Sequence, residues 1–242
     1  MKEQLYTIPV NDAFDADTEC PVCAMHDKLE ADAIDFVMGA SYMEDDVRME
    51  TDKKGFCATH LPMLYKNQNR LGLGLMILTY MDRQRKEIES LAKKKRGASS
   101  WFSKGEGDAL AEYLAKQQCS CYVCDRMAHS YERYLVTILY LYNTDASFRD
   151  KFARSKGFCM KHYGELHQMA PSHLSKANLE EFDTCINRIF LENWTRVRDD
   201  LEWFTDKFDY RNADAPWKNS RDALIRALLK TNAVSVEEKA KK

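Results

Sequence analysis

The sequence predicts an all-α fold: two pseudo-repeated helical hairpin units, then a long C-terminal helix and a short last helix. Three observations carry this. After each of two Cys-x-x-Cys motifs, apolar residues recur at i, i+4, i+8 and i+11, the spacing of one helix face. They are Met25, Leu29, Ala33 and Phe36 in the first case, and Met127, Tyr131, Leu135 and Ile138 in the second. No run alternates apolar with polar residues as a half-buried strand does. At 242 residues, 45% hydrophobic and 31% charged, the chain has the composition of an ordered globular protein able to bury a substantial core.

The elements follow in order. The first helix breaks at the polar turn Glu44-Asp45-Asp46, the second at Asn143-Thr144-Asp145. Basic segments, Lys53-Lys54 and Arg154-Ser155-Lys156, lead back into Gly-Phe-Cys, which reads as a helix out and a loop back. After each Gly-Phe-Cys-x-x-His the pattern turns helical again. The run Lys93-Lys94-Lys95-Arg96 is a solvated helix end favoured by the dipole, and small residues from Gly97 to Asp108 make a linker. Residues 179–207 form the long helix, with a stripe of Phe182, Ile186, Ile189, Phe190, Trp194, Val197, Leu201 and Phe204. Asn219 or Ser220 caps the last helix, which carries Ala223, Leu224, Ala227 and Leu228. The division expected is residues 1–96 and 109–207 as the two repeats, 97–108 as linker, 208–231 as an aromatic box with its helix, and 232–242 as a disordered tail.

The repeat is explicit in the motifs. Cys20-Pro21-Val22-Cys23 is followed by Gly55-Phe56-Cys57-Ala58-Thr59-His60, and Cys121-Tyr122-Val123-Cys124 by Gly157-Phe158-Cys159-Met160-Lys161-His162. Cys57 follows Cys23 by 34 positions and Cys159 follows Cys124 by 35, so the copies are offset by 101 and then 102. Chance does not reproduce both the gap and the flanks.

These residue types at this spacing are metal ligands. A Cys-x-x-Cys turn lets two sulfurs reach one ion, and a Cys-x-x-His at a helix start puts both donors on one face. Three thiolates and one imidazole make the closed tetrahedral set preferred by structural zinc. Two zinc ions are therefore expected, one inside each repeat: Cys20, Cys23, Cys57 and His60 around the first, Cys121, Cys124, Cys159 and His162 around the second. The alternative is an iron–sulfur cluster with one histidine ligand. Dithiol redox chemistry in the Cys-x-x-Cys pairs leaves the matched Cys and His unexplained. Of eight cysteines, two remain: Cys119 reads as a free thiol, an alternative ligand or a redox partner, and Cys185 as core. His26, His129, His167 and His173 do not repeat as ligands and read as surface residues or neighbours of the sites.

A formal charge of −2 argues against general nucleic-acid binding. Residues 135–142, among the longest apolar stretches, are too short to cross a bilayer, so no membrane insertion is expected. Met1-Lys2-Glu3-Gln4 lacks the apolar core of a signal peptide, which with the cysteine usage suggests a cytoplasmic protein.

One segment is denser than a connector needs to be: Lys207-Phe208-Asp209-Tyr210-Arg211-Asn212, then Ala215-Pro216-Trp217. It is either a packed corner or a ligand or partner pocket with Asp209 and Arg211 as polar contacts and Tyr210 and Trp217 as walls. The doubled Cys-x-x-Cys and Gly-Phe-Cys-x-x-His, followed by this box, resembles an uncharacterised bacterial family found mainly in anaerobic Firmicutes. The resemblance covers nearly the whole chain and implies a bacterial cytoplasmic setting and no particular reaction. Tyr122 stands where the family's Cys-Pro-x-Cys form has proline. The function expected is a metal-binding interaction or regulatory module with an unidentified protein or small-molecule partner. The alternative is an iron–sulfur or thiol-dependent redox enzyme, or a metal or redox sensor, using the same ligands.

Overall fold

Helix starts and stops explain most of the architecture. The computed structural model describes residues 4–93 and 108–236, and every regular element among them is helical. The α-helices are α1 (Gln4–Asp15), α2 (Pro21–Met38), α3 (Asp45–Lys54), α4 (His60–Lys66), α5 (Arg70–Lys93), α6 (Ala109–Gln118), α7 (Tyr122–Thr144), α8 (Ala146–Arg154), α9 (Met160–His173), α10 (Lys176–Asp206) and α11 (Ala223–Asn232). Short 3-10 turns occupy Ala40–Met43 and Tyr210–Asn212. The all-α expectation holds. The linker, apart from Asp108, lies outside the described residues, as do Lys94, Lys95, Arg96 and residues 237–242 of the tail.

Local chemistry sets the boundaries. Asp145 accepts from the Ser147 and Phe148 amides to cap α8, and Ser175 accepts from the Asn178 amide to cap α10. Asp45 and Asp46 lie in the first turn of α3 and Lys53 and Lys54 in its last, both favoured by the helix dipole. The return legs expected as loops are thus helices, α3 and α8. The apolar pattern missed α3 because it buries only Val47 and Thr51, too few for a stripe. A helix was also missed at the N-terminus, where α1 buries Val10, Ala13 and Phe14. The last helix starts later than expected: its cap is Asp222, while the Ser220 hydroxyl donates to the Trp217 carbonyl (2.6 Å).

Two compact units result, and neither is a repeat. Unit 1 is Met1–Asp27 with Tyr131–Lys242, and unit 2 is Lys28–Ser130. The chain passes from one to the other within α2 and again within α7. This cuts across the expected division into residues 1–96 and 109–207. Each unit keeps the later helices of one repeat and takes the N-terminal arm of the other: α1 and the Cys20–Cys23 turn in unit 1, α6 and the Cys121–Cys124 turn in unit 2.

The core of unit 1 is aromatic. Phe148, Phe152, Phe158, Phe182 and Tyr142 are fully buried. Phe152 sits 5.1 Å from Tyr142, 5.3 Å from Phe158 and 5.5 Å from Phe182 between ring centroids. Tilted and edge-on pairs of this kind add to the area that they bury. Of the expected α10 stripe, Phe182, Ile186, Ile189 and Val197 are buried and the rest half-buried. Residues 233–236, assigned to the tail, begin at the left-handed cap Ala233 (φ 56°) and lie outside any helix, and the Ser235 hydroxyl donates to Asp27 (2.7 Å).

The core of unit 2 is leaner and mostly aliphatic, with Val37, Leu64, Met76 and Val123 fully or almost fully enclosed and Phe36 only partly covered. Arg126 places its guanidinium 3.4 Å over the Phe36 ring. Arg48 ties α3 to α5 through the Leu75 carbonyl (3.2 Å) and the Thr79 hydroxyl (3.0 Å).

Candidate metal centres

Four helix N-termini present the eight predicted ligands. Cys20 precedes α2 and Cys23 lies in its first turn, with Pro21 at the first helical position, where its missing N–H costs nothing. Cys121 and Cys124 stand likewise at the start of α7. Cys159 caps α9, with His162 one turn in, and Cys57 precedes α4, which His60 opens. Amides at such ends point at the sulfurs and favour thiolate over thiol: the Cys23 amide lies 3.4 Å from Cys20 Sγ. Gly55 (φ 60°) and Gly157 (φ 72°) turn the chain into each Cys-x-x-His through backbone angles that suit glycine.

All eight residues converge, in two groups of four. The partners are not the expected ones. Cys20 and Cys23 join Cys159 and His162 in unit 1, and Cys57 and His60 join Cys121 and Cys124 in unit 2; each group's donor atoms lie within 4.8 Å of one another. A centre therefore takes its Cys-x-x-Cys from one repeat and its Cys-x-x-His from the other. The expectation that each hairpin is pinned by its own repeat's ligands is corrected accordingly. The reason is the path of the chain: α2 begins in unit 1 and ends in unit 2, so the Cys57–His60 turn that follows it belongs to unit 2, and α7 returns the chain to unit 1 before Cys159 and His162.

The edge lengths test whether an ion fits. In unit 1, His162 Nδ1 lies 3.3 Å from Cys20 Sγ, 3.3 Å from Cys23 Sγ and 3.2 Å from Cys159 Sγ, and the Cys23 and Cys159 sulfurs are 3.7 Å apart. In unit 2, His60 Nδ1 lies 3.2 Å from Cys57, 3.3 Å from Cys121 and 3.4 Å from Cys124, with 3.9 Å between the Cys57 and Cys124 sulfurs. A tetrahedron with metal–sulfur bonds of about 2.3 Å has sulfur–sulfur edges of about 3.8 Å. Both groups fit a single four-coordinate ion.

Electrostatics points the same way. Burial pushes the Cys20 thiol up to about 12, and the sulfur of Cys159 hydrogen-bonded to Cys23 raises that thiol as well. Cys159, accepting from Cys20 and Cys23, is held far below the usual thiol range. In unit 2, burial pushes Cys124 up to about 12. Burial also raises Cys121, but hydrogen bonds from His60 and from the Cys124 and Cys57 backbone bring it down to about 6. The bond to Cys121 in turn raises His60 to about 9. One sulfur in each group takes the charge while a neighbour resists it, and a cation among them lets all three ionise.

The surroundings of the two histidines differ. His60 Nε2 meets the Glu30 carboxylate at 3.0 Å, which fixes the ring and strengthens Nδ1 as a donor. Among the described residues, His162 Nε2 is buried with no hydrogen-bond partner. Tyr131 stands 101 positions after Glu30, at the equivalent place on α7, and its hydroxyl donates to Glu165. Glu30 was missed in the sequence, and the repeat does not mark it, because the matching position 131 holds a tyrosine.

A family model described as a family of unknown function, DUF6062, matches residues 1–238. The chain belongs to that family. No curated protein and no solved structure matches it. In this DUF6062 chain the aromatic box is a corner. Lys207 is buried, and its ammonium donates to the carbonyls of Asn212 (2.5 Å), Ala213 (2.9 Å) and Ala215 (2.5 Å). The four residues expected as pocket contacts lie in and just after this turn. Tyr210 is 87% exposed, and Arg211 turns its guanidinium onto Asp209 two residues away. Trp217 packs near Phe204, with Lys207 5.3 Å from its ring. The density of the box reflects a buried lysine that needs acceptors, which the turn's carbonyls supply.

The remaining cysteines and histidines of the DUF6062 chain fall outside the two groups. Cys119 is exposed at the end of α6, and Cys185 is half-buried against the unit 1 core. His129 and His173 are exposed, His26 stacks edge-on with Tyr131, and His167 meets Asn187 (2.8 Å). Among the described residues no helix is long and apolar enough to cross a membrane.

Proposed function

We propose that this DUF6062 chain carries two zinc ions, one in each compact unit, and works as an interaction or regulatory module. The observation that carries the reading is that each unit gathers three sulfurs and one imidazole nitrogen within 4.8 Å of one another, with four of the six edges at 3.2–3.9 Å. Four protein donors complete a structural site, whereas catalytic zinc keeps a position for water or substrate. The sulfur spacing supports a single ion over an iron–sulfur cluster, whose several irons hold cysteine sulfurs farther apart. Six of the eight cysteines serve as candidate donors in the two groups, a use of paired cysteines that supports a reducing, cytoplasmic setting. Phe208 (74% exposed) and Tyr210 stand out from the corner that Lys207 builds and support contact with a protein partner.

Elemental analysis and an absorption spectrum of anaerobically purified full-length protein test this. Two equivalents of zinc per chain and no visible absorption are expected. Cobalt substitution is expected to give the intense visible bands of four-coordinate, thiolate-rich geometry. A brown preparation holding iron and sulfide would overturn the zinc assignment in favour of a redox centre.

A further inference from the structure

Matched positions in the two centres differ in one consistent direction. Cys20, Cys23 and Cys159 are buried, and so is Phe158 beside them. In unit 2, Cys124 is exposed, and Cys57 and Phe56 are half-buried. The two histidines are alike in burial, as are Cys20 and Cys121, so the contrast lies at the Cys124 and Cys57 sulfurs.

The ligand loops are also held differently. Lys230 on α11 is 2% exposed, and its ammonium donates to the carbonyls of Glu19 (2.6 Å) and Lys156 (2.5 Å). Those residues directly precede Cys20 and the Gly157-Phe158-Cys159 turn. One buried cation therefore fastens both ligand loops of the unit 1 centre, with Glu19 Oε2 3.4 Å away as counter-charge and Arg196 bonded to the same oxygen (2.5 Å). In unit 2 the loops meet through the Tyr122 amide on the Gly55 carbonyl (3.0 Å) and a solvent-facing Lys54–Asp125 pair (2.8 Å). Surface pairs of that kind hold geometry weakly. The buried lysine belongs to a helix that follows only the second repeat.

Resting on the two-ion reading above, we propose that the centres differ in kind: the unit 1 ion is permanent, and the unit 2 ion exchanges with outside thiolate ligands through Cys124. In the exchange, an external thiolate attaches to the cation as the Cys124 sulfur leaves and takes a proton from water. No electron is transferred. Cys57, Cys121 and His60, steadied by Glu30, hold the ion until further donors replace them. Lys230 is a positioning residue for the unit 1 centre.

The test uses full-length protein loaded with two equivalents of zinc and an excess of the coloured chelator 4-(2-pyridylazo)resorcinol, with and without a small thiol. One equivalent is expected to leave at least about tenfold faster than the other, the scale on which supporting contacts alter metal sites. The thiol should speed only that fast phase. Lys230→Met should accelerate the slow phase and leave the fast one unchanged. Alkylation of loaded wild-type protein, followed by peptide mass mapping, needs no variant to fold. Cys124 and Cys57 should be labelled in step with the fast release while Cys20, Cys23 and Cys159 stay protected, and Cys119 should react at once. Release of both equivalents at one rate, or labelling of Cys20 together with Cys124, would overturn the proposal, and a Lys230→Met variant that accelerates both phases would overturn the role given to the lysine. A protein that takes up no zinc would instead overturn the two-ion reading itself.

Discussion

Single residues decide how each ligand loop is shaped and how each histidine is held. Gly55 has φ 60° and ψ −152°, a combination essentially confined to glycine, and a Cβ there would lie 2.7 Å from the Tyr80 ring. Gly55→Ala is expected to cost about 1–3 kcal/mol from the backbone alone. Chemical denaturation of the loaded protein measures this as a lower midpoint. Glu30→Gln keeps the hydrogen bond to His60 but removes the carboxylate charge. It should weaken the unit 2 ion by roughly 10–100-fold and leave unit 1 alone, because among the described residues His162 has no such partner. Competition titration against a chelator of known affinity separates the two. Equal weakening at both centres would mean that the carboxylate does not act through His60.

Helices carry the stability between the centres, and the units differ in what they pack. Phe152 on α8 is fully buried among four aromatic rings: Phe14, Tyr142, Phe158 and Phe182. Phe152→Ala should destabilise by about 3–5 kcal/mol, the range for deleting a buried phenylalanine. The start of the same helix offers a smaller test. Asp145 caps two amides, and Asp145→Ala should cost about 1 kcal/mol. Equilibrium unfolding followed by circular dichroism gives both values. An equal cost for the two would argue that the aromatic cluster repacks around the lost ring. In unit 2 the buried cluster is mostly aliphatic and, among the described residues, holds no such group of rings.

At the scale of the whole molecule, the exchange of N-terminal arms decides which sulfurs share an ion. Cys20→Ser with Cys159→Ser removes two ligands from one centre and should leave about one equivalent of zinc bound. Cys20→Ser with Cys57→Ser strikes both centres and should leave neither ion tightly held. Metal analysis after gel filtration discriminates, since pairing within a repeat reverses the two outcomes. The double variant also reports coupling: substitutions in one centre should be strongly non-additive in metal content, and substitutions in different centres additive.

Much of this was legible in the chain before any coordinates. The doubled motif named all eight ligands, and helical spacing after each Cys-x-x-Cys located α2 and α7, because a helix face and a ligand turn are local properties that neighbouring residues encode. The gap of 34 or 35 positions between motifs suggested pairing within a repeat, and there local reasoning failed. Which Cys-x-x-His closes on which Cys-x-x-Cys depends on where α3 and α8 carry the chain, and α3 has too few buried residues to announce itself as a helix. Lys230 shows the same limit from the other side. On α11 it occupies a buried position that apolar patterning would give to a hydrophobic residue, while Leu224 and Leu228 face solvent. Local patterns in the chain carry the eight candidate donors and the helical class. The folded chain sets the partners of those donors and the lysine that fastens one pair of loops, because each of these brings together residues more than sixty positions apart.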